Sequence, residues 1–151
     1  MVTIDNFKIV GISVRTTNKD KKAVEDIGKL WGQFFAENIM SKVENKVGNE
    51  IYSIYTDYKS DYTDEYTTIL GVRVNSLDNI PNGLIAREFQ TDTFTKFTAK
   101  GEMPNAVLEI WKEIWSKDKE LNRKYTYDFE VYGEKSQSGQ SSEVEIFIAT
   151  N

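Results

Sequence analysis

Residues 126–132 read Thr126-Tyr127-Asp128-Phe129-Glu130-Val131-Tyr132 (TYDFEVY), and residues 52–55 read Tyr52-Ser53-Ile54-Tyr55 (YSIY). The first stretch is rich in aromatic and β-branched residues, the composition of a strand. Its period of two puts Phe129 and Val131 on one face and Asp128, Glu130 and Tyr132 on the other. YSIY lies over FEVY at 129–132 with tyrosine on tyrosine and Ser53 at the position of Glu130. Working outward, each stretch has the same neighbours. Ahead of YSIY stand a strand at 7–15 (FKIVGISVR) and a helix at 21–40, with Val24, Ile27, Leu30, Trp31 and Phe34 at helical spacing. Ahead of FEVY stand a strand at 93–99 and a helix at 105–117, with Pro104 where a helix starts and Val107, Ile110, Trp111 and Ile114 on one face. A strand follows each, 66–74 in one half and 143–149 in the other. LWGQFF at 30–35 lies over IWKEIW at 110–115.

Strand, helix, strand, strand, twice over, is an internal repeat. It predicts one α+β domain over 1–151, made of duplicated βαββ halves with pseudo-twofold symmetry. An antiparallel sheet carries the two helices on one side, with a central ligand cleft at the junction of the halves. A further strand is expected at 84–90. The polar segment 133–142 (GEKSQSGQSS) reads as a mobile linker.

Composition narrows the chemistry. The 151 residues are 39% hydrophobic and 13% aromatic, which argues against disorder. Histidine and cysteine are both absent, so Ser-His-Asp and Cys-His systems and ordinary zinc sites are excluded. No glycine-rich phosphate loop occurs, and the acids at 57, 61, 64 and 65 lack the spacing of a calcium loop. No cofactor and no metal are expected. A net charge of −5 disfavours direct binding to nucleic acid. With no signal peptide and no apolar run of membrane-spanning length, a cytoplasmic location is expected.

Within the repeat, the tyrosine is kept in both halves and the carboxylate stands in only one. A lone glutamate is most often solvated. Buried, Glu130 would need a cation, hydrogen bonds or a proton. Tyr132 shares its face and Tyr55 is the repeat counterpart; both could orient a ligand or stand as sheet-surface aromatics. Trp31 and Trp111 occupy matching helix positions and offer the strongest π faces for a cation, against the simpler reading as core. Glu145 and Phe147 share a face of the last strand and are candidates for the pocket. Trp115 falls one position off the apolar stripe and is expected to contribute little. In YTDYKSDYTDEY, 55–66, Tyr58 and Tyr62 read as parts of a solvated loop, with an acidic aromatic mouth as the alternative.

These stretches together carry a resemblance. VGISVRTTN at 10–18, IGKLWGQFF at 27–35, IYSIYTDYKSDYTDEYT at 51–67, FTKFTAKGEMPNAVLEIWKEIW at 94–115, DFEVY at 128–132 and VEIFIA at 144–149 span nearly the whole chain. In order and spacing they resemble the GyrI-like small-molecule-binding family, the effector-binding domain of AraC-type and MerR-type regulators. The resemblance is strongest to standalone members, including integron-cassette drug-binding proteins. It implies an aromatic pocket whose acidic residue, here Glu130, takes lipophilic aromatic cations. The chain has SKDKELNRKY at 116–125 where many members carry a Trp-Leu-Pro-like segment, and Ala149 where the last strand often ends in proline. It carries no helix-turn-helix segment, so a regulatory role implies a separate DNA-binding partner. The resemblance also admits a hydrolase of strained cyclopropanoid compounds, with Glu130 as general base and Tyr132 or Tyr55 as its partner. Inhibition of a partner enzyme is a third reading, on fold analogy alone.

Overall fold

The computed structural model describes residues 1–151. Its strands are β1 (Val2–Ile4), β2 (Phe7–Thr17), β3 (Lys46–Thr56), β4 (Glu65–Val74), β5 (Ile85–Phe89), β6 (Asp92–Lys100), β7 (Arg123–Tyr132) and β8 (Glu143–Thr150). Its helices are α1 (Lys22–Ala36), α2 (Ile39–Lys42), α3 (Asn105–Ser116) and α4 (Asp118–Leu121). The strands form one antiparallel sheet in the order β1-β6-β8-β7-β3-β4-β2-β5. Exchanging the two halves, β1 with β5, β2 with β6, β3 with β7 and β4 with β8, reverses this order and leaves it otherwise unchanged. The predicted duplication is therefore present, extended by one strand in each half. Those added strands cross over: β1 pairs with β6 of the second half, and β5 pairs with β2 of the first.

Both longer helices lie on one face, and each covers only its own flank. α1 packs Leu30 and Phe34 against Val10, Ile12, Leu70 and Val72 of β2 and β4. α3 packs Val107, Trp111 and Ile114 against Ala99, Val144, Ile146 and Ile148 of β6 and β8. Between them the central pair β3–β7 is left without a helix above it, and this gap is the cleft. On the other face the sheet curls on itself around Phe7, Phe89, Phe94, Tyr127, Phe129 and Phe147. The Tyr127 hydroxyl donates to the Gln90 carbonyl at 2.6 Å across that curl. Gly11 and Gly71 face each other at mid-sheet; a Cβ on Gly11 would lie 2.0 Å from the Leu70 carbonyl oxygen. Glycine at both positions lets the strands approach this closely.

One expectation is corrected. The helix predicted at 21–40 ends at Ala36, because Asn38 takes the left-handed conformation (φ 52) that terminates helices. The chain then turns inward as α2 and buries Ile39. Asn122 (φ 56) does the same after α4. The segment 133–142 carries two 3-10 turns, Glu134–Gln137 and Gly139–Ser141, with the Ser138 N–H donating to the Ser142 hydroxyl at 2.9 Å.

Candidate functional site

Ser53 and Glu130 are direct cross-strand partners on the β3–β7 ladder. They are also equivalent positions of the repeat, so the pseudo-twofold axis passes between them. Opposed side chains on an antiparallel pair have Cβ atoms about 5 Å apart. Two ionised carboxylates there would repel in a buried setting, which disfavours an acid in both halves.

Glu130 is 2% exposed and sits at the cleft floor. Its Oε2 accepts from the Trp111 Nε1–H at 2.5 Å and from the Tyr55 hydroxyl at 3.0 Å, and its Oε1 accepts from the Tyr132 hydroxyl at 2.7 Å. Ser53 donates to the Tyr55 oxygen at 3.1 Å and completes the chain. Every donor is neutral, and no lysine or arginine pairs with this carboxylate. Burial pushes the Glu130 carboxyl above its usual range, and the hydrogen bonds from Tyr132, Trp111 and Tyr55 pull it back in part. Burial, then the adjacent Glu130 charge, pushes the Tyr55 and Tyr132 phenols well above their ordinary value, so both stay protonated donors.

The aromatics around this acid repeat in pairs. Tyr132 meets Trp31 edge-on at 4.9 Å between centroids, and Trp31 stacks on Phe35 at 5.9 Å. Tyr55 meets Trp111 edge-on at 5.3 Å, and Trp111 lies 6.2 Å from Trp115. A tyrosine–tryptophan–aromatic ladder thus rises on each side of Glu130. The cleft between them encloses a cavity of about 350 Å³, with Ile27 and Gly28 of α1 and Val107 and Leu108 of α3 also in its wall. This volume falls within the range of small-molecule pockets.

Beside the acid lies a second polar group that spacing alone did not single out. Asp128, fully buried, accepts from the Tyr58 hydroxyl at 2.6 Å, from Arg123 Nη2 at 2.7 Å and from the Ala149 N–H at 2.8 Å. Arg123 also pairs with Asp118 at 3.3 Å. A bulge in β7 between Arg123 and Asp128, with Tyr125 at φ 59, turns the guanidinium inward. Burial raises the Asp128 carboxyl, while Arg123 and the hydrogen bonds oppose that rise. This arginine is therefore committed to its own carboxylates and leaves Glu130 unpaired.

The sequence-derived candidates divide. Glu130, Tyr132, Tyr55, Trp31 and Trp111 all line the cavity. Glu145 and Phe147 do not. Glu130 faces Ile146 across the ladder, so Glu145 and Phe147 point through the opposite side of the sheet. Glu145, its side chain 48% exposed, pairs with Lys96 at 3.2 Å, and Phe147 stacks on Phe129 in the aromatic core. Trp115, Tyr58 and Tyr62, expected to lie outside the site, border the cavity, and Tyr62 stacks on Trp115 at 5.8 Å and 12°. The helical spacing of four between Trp111 and Trp115 was the available signal.

A duplicated half-barrel with a helix on each flank and an aromatic, acid-floored cleft on the axis defines an effector-binding domain. The chain belongs to the Cass2 family of integron-associated effector binding proteins, whose sequence profile matches residues 1–150. YobU of Bacillus subtilis (strain 168), whose name describes a candidate transcriptional regulator, is 29% identical over 149 residues, 97% of this chain and 93% of that one. An integron cassette protein from the mobile metagenome of Vibrio cholerae is 29% identical and superposes with a TM-score of 0.76, over 99% of this chain and 94% of its own. SAV2435, solved bound to tetraphenylphosphonium, shares the fold at a TM-score of 0.82 with 17% identity, over 99% and 92% of the two chains. The family and fold make this a small-molecule-binding protein, and no helix in it is long and apolar enough to cross a membrane.

Proposed function

We propose that the chain binds lipophilic, cationic aromatic molecules in this cavity, as a sensor or sequestering module, with Glu130 as the charge-selecting group. One observation carries the reading: a buried carboxylate, held by three neutral donors and paired with no cation, at the floor of an aromatic cavity. A ligand cation is the partner such a group lacks. The indole and phenol rings add cation–π attraction, about 2 kcal/mol or more once desolvated. Apolar burial adds about 25 cal/mol per Å². The ligand of SAV2435 is a molecule of this class.

Turnover by the same residues is the second reading, with Glu130 activating water. The donors occupy three of the carboxylate's four acceptor positions, which leaves little of it free to take a proton from water and favours binding over base catalysis. Calorimetric titration with 10-methylacridinium and with acridine, at neutral pH where acridine is uncharged, tests the proposal. The cation should bind more tightly, and mass spectrometry should recover it intact. Equal affinity for the neutral ring would refute charge selection.

A further inference from the structure

The two flanks of the cleft match in their ladders and differ in what stands beside them. On the α3 flank, Leu108 fills the wall position next to Trp111, and Tyr62 stacks over Trp115 to close the outer end. On the α1 flank the position equivalent to Leu108 is Gly28. It borders the cavity and is exposed, and a Cβ built there, as at Gly32 outside the cavity, would point into open space. The residue equivalent to Trp115 is Phe35, which stacks on Trp31 and is 64% exposed. Val24, one turn before Gly28, also borders the cavity and is 64% exposed. Trp31 itself is half-buried, and its indole N–H makes no hydrogen bond equivalent to that from Trp111 to Glu130.

We propose that the gap over Gly28, walled by Trp31 and open to solvent, is an aryl subsite that makes the cleft selective for elongated cations. Such a ligand sets its cationic ring beside Glu130 and extends a planar aromatic body along the α1 flank towards solvent. The α3 flank offers no equivalent room, because Leu108 and the Tyr62–Trp115 stack occupy it. Gly28 is then a specificity-determining position: within the helix, alanine or leucine would be favoured over glycine, and the missing side chain leaves space for a ring. The inference rests on the proposed cation reading of Glu130 and adds the shape of what binds there.

Gly28→Leu fills the gap, and the higher helix propensity of leucine should preserve or raise the melting temperature. Calorimetry on this variant, on Glu130→Gln and on the unaltered protein would use two probes, 10-methylacridinium as the extended cation and tetraethylammonium as the compact one. Gly28→Leu should weaken 10-methylacridinium about tenfold or more, the scale of a steric change in an apolar pocket, and change tetraethylammonium less than about twofold. Glu130→Gln should weaken both. If Gly28→Leu leaves 10-methylacridinium unchanged while Glu130→Gln weakens it, the subsite is wrong and the cation reading survives. If Gly28→Leu weakens both probes equally, the subsite is also wrong, because the side chain would be blocking the whole cleft. If neither variant affects either probe, both readings fall.

Discussion

Placing a second carboxylate on the axis tests whether the Ser53–Glu130 pairing governs the site. Ser53→Glu would set two buried acids directly opposite each other on β3 and β7, with Ser53 fully buried and Glu130 almost so. At about 5 Å and an effective dielectric of about 20, Coulomb's law gives about 3 kcal/mol of repulsion. Ser53→Gln has nearly the same volume and no charge, so the difference between the two variants isolates the electrostatic part. The repulsion would raise the titration of the pair by roughly two pH units above that of an isolated carboxyl. A group whose folded-state pKa is raised contributes stability that is full below the unfolded value and is lost as pH rises through the folded one. Urea unfolding should therefore find the two variants similar at acid pH, with Ser53→Glu less stable by about 3 kcal/mol at neutral pH. Equal stability of the two variants at neutral pH would refute the placement of the axis between these side chains.

Other consequences follow from the same geometry. Arg123→Met strands the buried Asp128 without its guanidinium, and should cost about 3–5 kcal/mol in chemical denaturation; burial already raises Asp128, so the loss should ease on acidification. Because burial also raises the Glu130 carboxyl, binding of 10-methylacridinium should weaken on acidification at a pH above the ordinary carboxylate range. The sign for the ligand-free protein is opposite: Glu130 is one group that disfavours folding as pH rises through its raised pKa. Calorimetry across mildly acidic pH checks the ligand arm, and a flat affinity there contradicts it. Aromatic cations should quench tryptophan emission, and Trp115→Phe should remove part of that quench because Trp115 borders the cavity; an unchanged titration would place it outside.

The order of elements was legible because the helices carry one-sided stripes and the strands are bounded by turn residues. The Ser53–Glu130 correspondence was legible too, since YSIY and FEVY align without gaps, while the residues alone favoured a solvated Glu130. The face of β8 was not. Its Ile146 and Ile148 meet the helix layer, its Phe147 meets the curled aromatic core, and Glu145, on the Phe147 face, is exposed beside Lys96. The alternation Glu143-Val144-Glu145-Ile146 separates the two faces but does not say which of them accompanies Glu130; only the register with β7 decides, and a slip of one residue exchanges the faces. β1 escaped detection because three residues, Val2–Ile4, are too short to display a period. Tyr58 and Trp115 were undervalued for a different reason. Tyr58 is held by a hydroxyl contact to Asp128, 70 positions away in the chain, and Trp115 sits on the cleft-facing stripe of α3, which differs from its core-facing stripe.

The central claim is that an unpaired, ionised Glu130 selects cations. Its most direct test is the affinity difference between 10-methylacridinium and acridine, measured in the unaltered protein and in Glu130→Gln. Glutamine keeps the size and the capacity to accept from Tyr55, Tyr132 and Trp111 while removing the charge. The unaltered protein should prefer the cation by roughly 2–5 kcal/mol, and Glu130→Gln should lose that preference while acridine binds as before. A variant that keeps the full preference for the cation would contradict the claim and leave Glu130 as a structural member of the sheet.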